Sequence, residues 1–265
     1  MEGADRWLAH SQMSDPGRHA GAIATLPAGI ETLHQIIQGV LVHADWAREY
    51  GLDETTLDPT ARKTLPIAER LDDVLKRDPR PLGVQRPADK RSTGTCRDFA
   101  LALCSFLRCS GVPARVRCGF AAYFGGEWED HWVCEYWDSE TGTWRLSDAQ
   151  IDHMLRQRNH IEFDSTDVPR RFFMTAGEAW LMCRRAAADP GAFGHGSVAG
   201  WWFLKVNVLR DHYVLNARET SNWDRWREAP QHKRSIPDDE MEFLDDLAAR
   251  PGQPLIDVAP DWLER

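Results

Sequence analysis

The chain has 265 residues, 42% of them apolar, with 12 Trp and 10 Phe. That composition supports a folded protein with a well-buried core and excludes an intrinsically disordered one. A net charge of −9 argues against non-specific binding to nucleic acid or to an anionic membrane, and no run approaches the ~18 apolar residues of a membrane span.

Residues 1–28 carry acids and lack the apolar stretch of a secretory signal. They read as a loose leader, with a single domain expected over 29–265. A cytoplasmic location follows, in which the six cysteines stay reduced. None of them forms a C-x-x-C pair, which argues against a zinc cluster. Ile30 to Tyr50 places apolar residues at Ile30, Leu33, Ile37, Val40, Leu41 and Ala44, which predicts one helix stopped by Gly51. A second helix fits Pro66 to Lys76, and a loop rich in Pro and charge follows. Cys96 to Ser110 is the third helix, apolar on most sides and ended by Gly111 and Pro113.

Three strands are expected next, over Ala114–Phe124, His131–Trp137 and Trp144–Asp148, joined by connections short enough for an antiparallel meander. A central helix followed by such a sheet is an α+β core. Thr175 with Glu178 forms a capping box ahead of a further helix. The Gly-rich piece Pro190–Gly200 reads as a connector. A buried helix over Gly200–Asn216 and an amphipathic one over Pro237–Ala249 complete the pattern.

Cys96 stands where chemistry is favoured. At a helix N-terminus, free N–H groups and the macrodipole stabilise a thiolate, by roughly 0.3–1 kcal/mol at an exposed position. That is too little alone, so an imidazolium must supply the rest. His131, at the start of a strand of the same core, is the natural base. Asp148, at the end of the next strand, lies where a hairpin brings it beside His131 to orient the ring. Asp148 also has a plainer reading, as cap of the helix suggested by AQIDHMLRQRN. Asp130 is a poor orienter, because adjacent strand residues point to opposite faces.

The stretches GTCRDFA from Gly94, GVPARVRCGF from Gly111, DHWVCEYW from Asp130 and WRLSDAQID from Trp144 together resemble the transglutaminase-like superfamily of papain-like thiol enzymes. The resemblance covers about Arg91 to Asp152 and is nearest to a bacterial branch, in which segments similar to Val198–Trp226 belong to the same domain. It implies a central helix packed on an antiparallel sheet, with Cys96 as nucleophile, His131 as base and Asp148 as orienter. Arg97 follows the nucleophile where the cross-linking enzymes carry Trp, Ala149 replaces the usual Pro after Asp148, and no acidic calcium loop is evident. These departures argue against calcium-dependent protein cross-linking and leave thiol acyl chemistry intact.

The expected function is acyl transfer or hydrolysis at an amide, ester or thioester, on a small molecule or peptide, with no cofactor and no metal. The Cys96 backbone N–H would hold the oxyanion. Gln85 and Trp128 are candidates for a second donor or for lining the pocket. Trp132, Trp137 and Trp144 read as core packing. The competing readings are a non-catalytic binding or scaffold module that keeps the fold, and a metal site on the same three side chains.

Overall fold

The computed structural model describes residues 3–53, 55, 57, 66–219 and 236–254. These divide into two units, Met1–Val116 with Trp132–Arg170, and Arg117–His131 with Arg171–Arg265. Helices and mainly antiparallel strands make the fold α+β.

In the first unit, the segment expected to be a loose leader is ordered. Trp7 is 5% exposed and Ser14 fully buried. Arg115 lies over the Trp7 ring at 5.5 Å, and Arg108 Nη1 donates to Ser14 Oγ at 2.7 Å. A short helix α1, Ala20–Ala24, buries Ile23. The helix expected to reach Tyr50 stops early: α2 spans Ile30–Val40, strand β1 Leu41–His43, and a 3-10 turn Ala44–Tyr50. The cause is tertiary. β1 pairs in parallel with β2, Ser92–Gly94, with Leu41 opposite Ser92 and His43 opposite Gly94. These backbone bonds outweigh a helical pattern that β-branched Val42 supports only weakly. Gly51, at φ 75°, ends the turn as the sequence suggests.

Helix α3, Ile67–Arg77, buries Ile67, Arg70, Leu71 and Val74 on one stripe. Helix α4 runs Cys96–Cys109, and every residue from Arg97 to Arg108 is buried. Strands β3, Ala114–Ala121, β4, Trp128–Asp138, and β5, Thr143–Ser147, follow close to the expected ranges. β4 and β5 are antiparallel, paired from Cys134↔Ser147 to Asp138↔Thr143. The buried Cys104 thiol on α4 hydrogen-bonds that of Cys134 on β4, and burial pushes the Cys134 thiol well above its ordinary range. Helix α5 spans His153–Arg158.

The second unit adds β6, Phe173–Thr175, and α6, Ala176–Arg184, which begins on the Thr175–Glu178 capping box. Then come β7, Phe193–His195, β8, Val198–Ala199, and helices α7, Trp201–Val214, and α8, Asp238–Ala249. The strand order is β6-β3-β4-β7-β8. The expected connector Pro190–Gly200 thus contains two short strands: β7 pairs in parallel with β4 at Trp128↔Phe193 and Glu129↔Gly194, and β8 folds back on β7. Phe120, Trp180, Phe193, Phe203, Leu244 and Leu247 form the core. The expected integral segment Val198–Trp226 is described only to residue 219; residues 220–226 lie outside the described residues. Among the described residues no helix is long and apolar enough to cross a membrane.

Gly119 is required by close approach. It sits opposite Thr175, and a Cβ there would meet the Met174 carbonyl oxygen at 2.1 Å and Thr175 Cα at 2.9 Å. Both are backbone atoms and cannot turn aside. Gly119→Ala should cost about 3 kcal/mol through overpacking, read as a lower urea midpoint, whereas Gly142→Ala, at an open turn with φ 66°, should cost about 1 kcal/mol.

Candidate active site

Cys96 is the first residue of α4 and a half-buried free thiol. Its position is fixed by the residues around it. Thr95 caps the helix, and its backbone N–H donates to Asp98 Oδ2 at 2.8 Å. The other Asp98 oxygen, Oδ1, accepts from Arg70 Nε and Nη2 at 3.1 and 2.8 Å. Arg70 Nη1 also donates to the Thr93 carbonyl at 2.7 Å and to Ser92 Oγ at 3.0 Å. The Asp98 and Arg70 side chains are 1% and 4% exposed. One buried guanidinium therefore ties α3, the strand before the cap and the first turn of α4 together. The sequence reading missed Arg70. The available signal was an arginine standing on the apolar stripe of α3.

His131 lies in β4 and is 2% exposed. Two aromatic edges flank its ring, Tyr123 at 5.7 Å and Phe124 at 4.9 Å. Asp130, beside it, accepts from Arg210 Nη1 on α7 at 3.2 and 3.3 Å. This pair occupies Asp130 in the interior of its unit. The neighbours of Cys96 and His131 meet within the first unit: the Arg97 guanidinium lies over the Trp132 ring at 5.9 Å.

Asp148 follows the last pair of the β4–β5 hairpin and is 2% exposed. It does not cap α5. Asp152 does, accepting from the Leu155 N–H at 3.0 Å. Asp148 Oδ1 instead accepts from the Gln150 N–H at 2.9 Å. Helix α2 holds both flanks of Asp148, another feature the sequence reading missed. His34 Nε2 hydrogen-bonds Ser147 Oγ at 2.7 Å, and Gln38 Nε2 donates to the carbonyls of Ala149 and Ile151, each at 3.1 Å. The spacing i, i+4 of two polar residues on a buried face was the sequence signal.

The secondary candidates sit less suggestively. Gln85 is exposed, and its side chain packs over Gly39. Trp128 stacks on Phe193 at 5.8 Å and packs against the core of the second unit. Among the described residues no group of three or more His, Cys, Asp or Glu is arranged to hold a metal ion.

Two outcomes follow from the buried polar contacts. Arg70→Met leaves Asp98 buried without its guanidinium and should destabilise the protein by about 3–5 kcal/mol, measured by urea unfolding; Arg70→Lys should recover part of that loss. Burial pushes the His34 imidazole from 6.5 down to about 4. Unfolded His34 takes up a proton below its ordinary value while the folded ring stays neutral, so its contribution is complete above pH 6.5 and shrinks towards pH 4, by about 3 kcal/mol in all. His34→Gln should flatten the stability profile across that window.

Residues 52–149 match the family described as the transglutaminase-like superfamily. A solved structure of a proposed cysteine protease from Cytophaga hutchinsonii is 14% identical, with a TM-score of 0.35, covering 58% of this chain and 43% of its own. The match thus spans less than half the length of that protein, and so weak a likeness carries no argument. No curated protein matches the chain. The family match ends one residue past Asp148 and contains the Thr95–Cys96–Asp98 helix start, so it is over residues 52–149 that this chain is similar to the transglutaminase-like superfamily.

Proposed function

We propose that this protein is a thiol enzyme of acyl transfer or amide hydrolysis in which Cys96 is the nucleophile, His131 the acid and base, and Asp148 the group that orients His131. The observation that carries the proposal is the placing of a half-buried thiol at the first residue of α4, with Arg97 of the same turn packed over Trp132, the residue after His131. The β4–β5 register adds support. Leaving the last pair, Cys134↔Ser147, β4 runs back towards His131 while the chain after β5 runs on to Asp148.

In this reading, the Cys96 thiolate attacks the substrate carbonyl. A C–S bond forms, and the oxyanion is met by the Cys96 backbone N–H at the start of α4 and by one further donor. The carbonyl's bond to nitrogen or oxygen then breaks, and His131 gives its proton to the departing group. Water or an amine next attacks the thioester and passes its proton to His131. The C–S bond breaks and the thiolate returns. Water completes a hydrolysis and an amine a transamidation. Gln85 and Trp128 stay as second-donor candidates. The fixed capping box suits the role, because a nucleophile held by a buried ion pair needs little reorganisation in the transition state.

The test is the rate of Cys96 alkylation by iodoacetamide against pH, read residue by residue by mass spectrometry. In the wild type, labelling should stay fast down to pH 6. In His131→Ala it should fall about a hundredfold at that pH, as expected for the loss of the group that takes the thiol's proton. Equal rates in the two proteins would instead favour a scaffold that keeps the fold without the chemistry.

A further inference from the structure

The two-stranded sheet of the first unit brings a second histidine to the start of α4. β1 ends at His43, which pairs with Gly94, two residues before Cys96. Neighbouring strands lie about 4.8 Å apart, and residues opposite one another share a face of the sheet. Gly94 shows which face that is, because a Cβ there would meet the Asp98 side chain of α4. His43 therefore turns towards the first turn of α4. Its ring agrees, stacking on Phe99 with centroids 6.4 Å apart and planes 29° from parallel. Phe99 stands three residues after Cys96, on the same side of the helix. A backbone register and a ring contact thus put one imidazole on the Cys96 side of the helix start, all within the first unit.

The turn that follows fixes the protonation of that ring. His43 caps the 3-10 turn Ala44–Tyr50, and its Nδ1 accepts the Asp45 backbone N–H at 3.1 Å. A ring nitrogen that accepts carries no proton, so in the neutral imidazole the proton sits on Nε2. To act as a base, the ring would have to protonate Nδ1, which faces a backbone N–H, and would become a cation at a position only 6% exposed. His43 is therefore built to give a hydrogen bond through Nε2 and unsuited to shuttling protons.

We infer that His43 is the second donor to the oxyanion, its Nε2–H joining the Cys96 backbone N–H at the carbonyl oxygen under attack. The inference rests on the reading of Cys96 as the nucleophile. As the C–S bond forms, an electron pair moves onto the carbonyl oxygen, and it returns when the leaving group departs. His43 meets that charge with a hydrogen bond and keeps its proton throughout. The stack on Phe99 and the bond from Asp45 hold the ring in place before a substrate arrives, which is what makes such a donor effective. On this assignment neither exposed Gln85 nor Trp128, which packs in the core of the second unit, is needed as a donor.

Two reagents supply the test. Iodoacetamide alkylates Cys96 at a saturated carbon and makes no oxyanion, whereas p-nitrophenyl acetate acylates it through a carbonyl whose oxygen gathers charge. Both rates are followed at Cys96 by mass spectrometry at neutral pH, and their ratio cancels any common change in thiol reactivity. His43→Phe keeps a ring to pack on Phe99 and removes the N–H; His43→Ala removes both. Acylation relative to alkylation should fall about a hundredfold in each, the loss expected for one oxyanion donor, with the alkylation rate of the Phe variant unchanged. His43→Gln, which offers an amide N–H, should recover part of the loss. Urea unfolding identifies the folded variants, in which the ratio is read. A wild-type ratio in the Phe or Ala variant would overturn the assignment, as would a Gln variant no better than Phe. If alkylation depends on His131 while the ratio ignores residue 43, His43 alone loses its role. If alkylation ignores His131, or wild-type Cys96 acylates no faster than free cysteine, the catalytic reading itself fails.

Discussion

The ion pair between Arg70 and Asp98 is the constraint on which the candidate site depends. Asp98 divides its two oxygens, giving Oδ1 to the guanidinium and Oδ2 to the backbone at Thr95. Gly94 belongs to the same arrangement: a Cβ there would stand 2.8 Å from Asp98 Oδ2, so this carboxylate tolerates no side chain at 94. Burying two charges is costly, and a well-packed apolar pair often stabilises as much. What the charged pair adds is direction. It fixes where the helix begins, and Cys96 is the residue at which it begins.

The second unit repeats the device at its own interior. α7 lies almost wholly buried and still carries Asn207, Arg210 and Asp211. Asp211 binds Arg117 through both oxygens, at 3.0 and 2.8 Å, and takes the Cys118 backbone N–H at 3.0 Å. Asn207 Oδ1 accepts from the Cys118 thiol at 2.8 Å and from Arg210 Nη1 at 3.0 Å. Arg210 then reaches Asp130, next to His131. Through these contacts the C-terminal helical region braces β3 and the first part of β4.

What the sequence disclosed was what is encoded locally. The start of α4 is announced by Thr95, Cys96 and Asp98, and its end by Gly111; the capping box at Thr175 is equally self-contained. The strands that follow α4 carry β-branched and aromatic residues in short, turn-bounded runs, so their limits were close to those observed. The features that stayed hidden depend on distant partners. Nothing within Leu41–His43 says that it will pair with Ser92–Gly94, and a helical spacing that continues through it misleads. Arg70 looks like a flaw in an apolar stripe until Asp98 is seen beside it. The β7–β8 hairpin is rich in Gly and reads as a connector because its pairing partner, β4, lies more than sixty residues earlier in the chain.

The polar interior of the second unit also has a consequence for biosynthesis. Arg117 and Cys118 leave the ribosome long before Asp211, their partner 94 and 93 residues later. At translation rates of about 5–20 residues per second, that interval lasts roughly 5–20 s. Throughout it, the strand lacks the carboxylate that meets this guanidinium and this amide in the folded unit, so that part of the interior can close only after α7 has emerged.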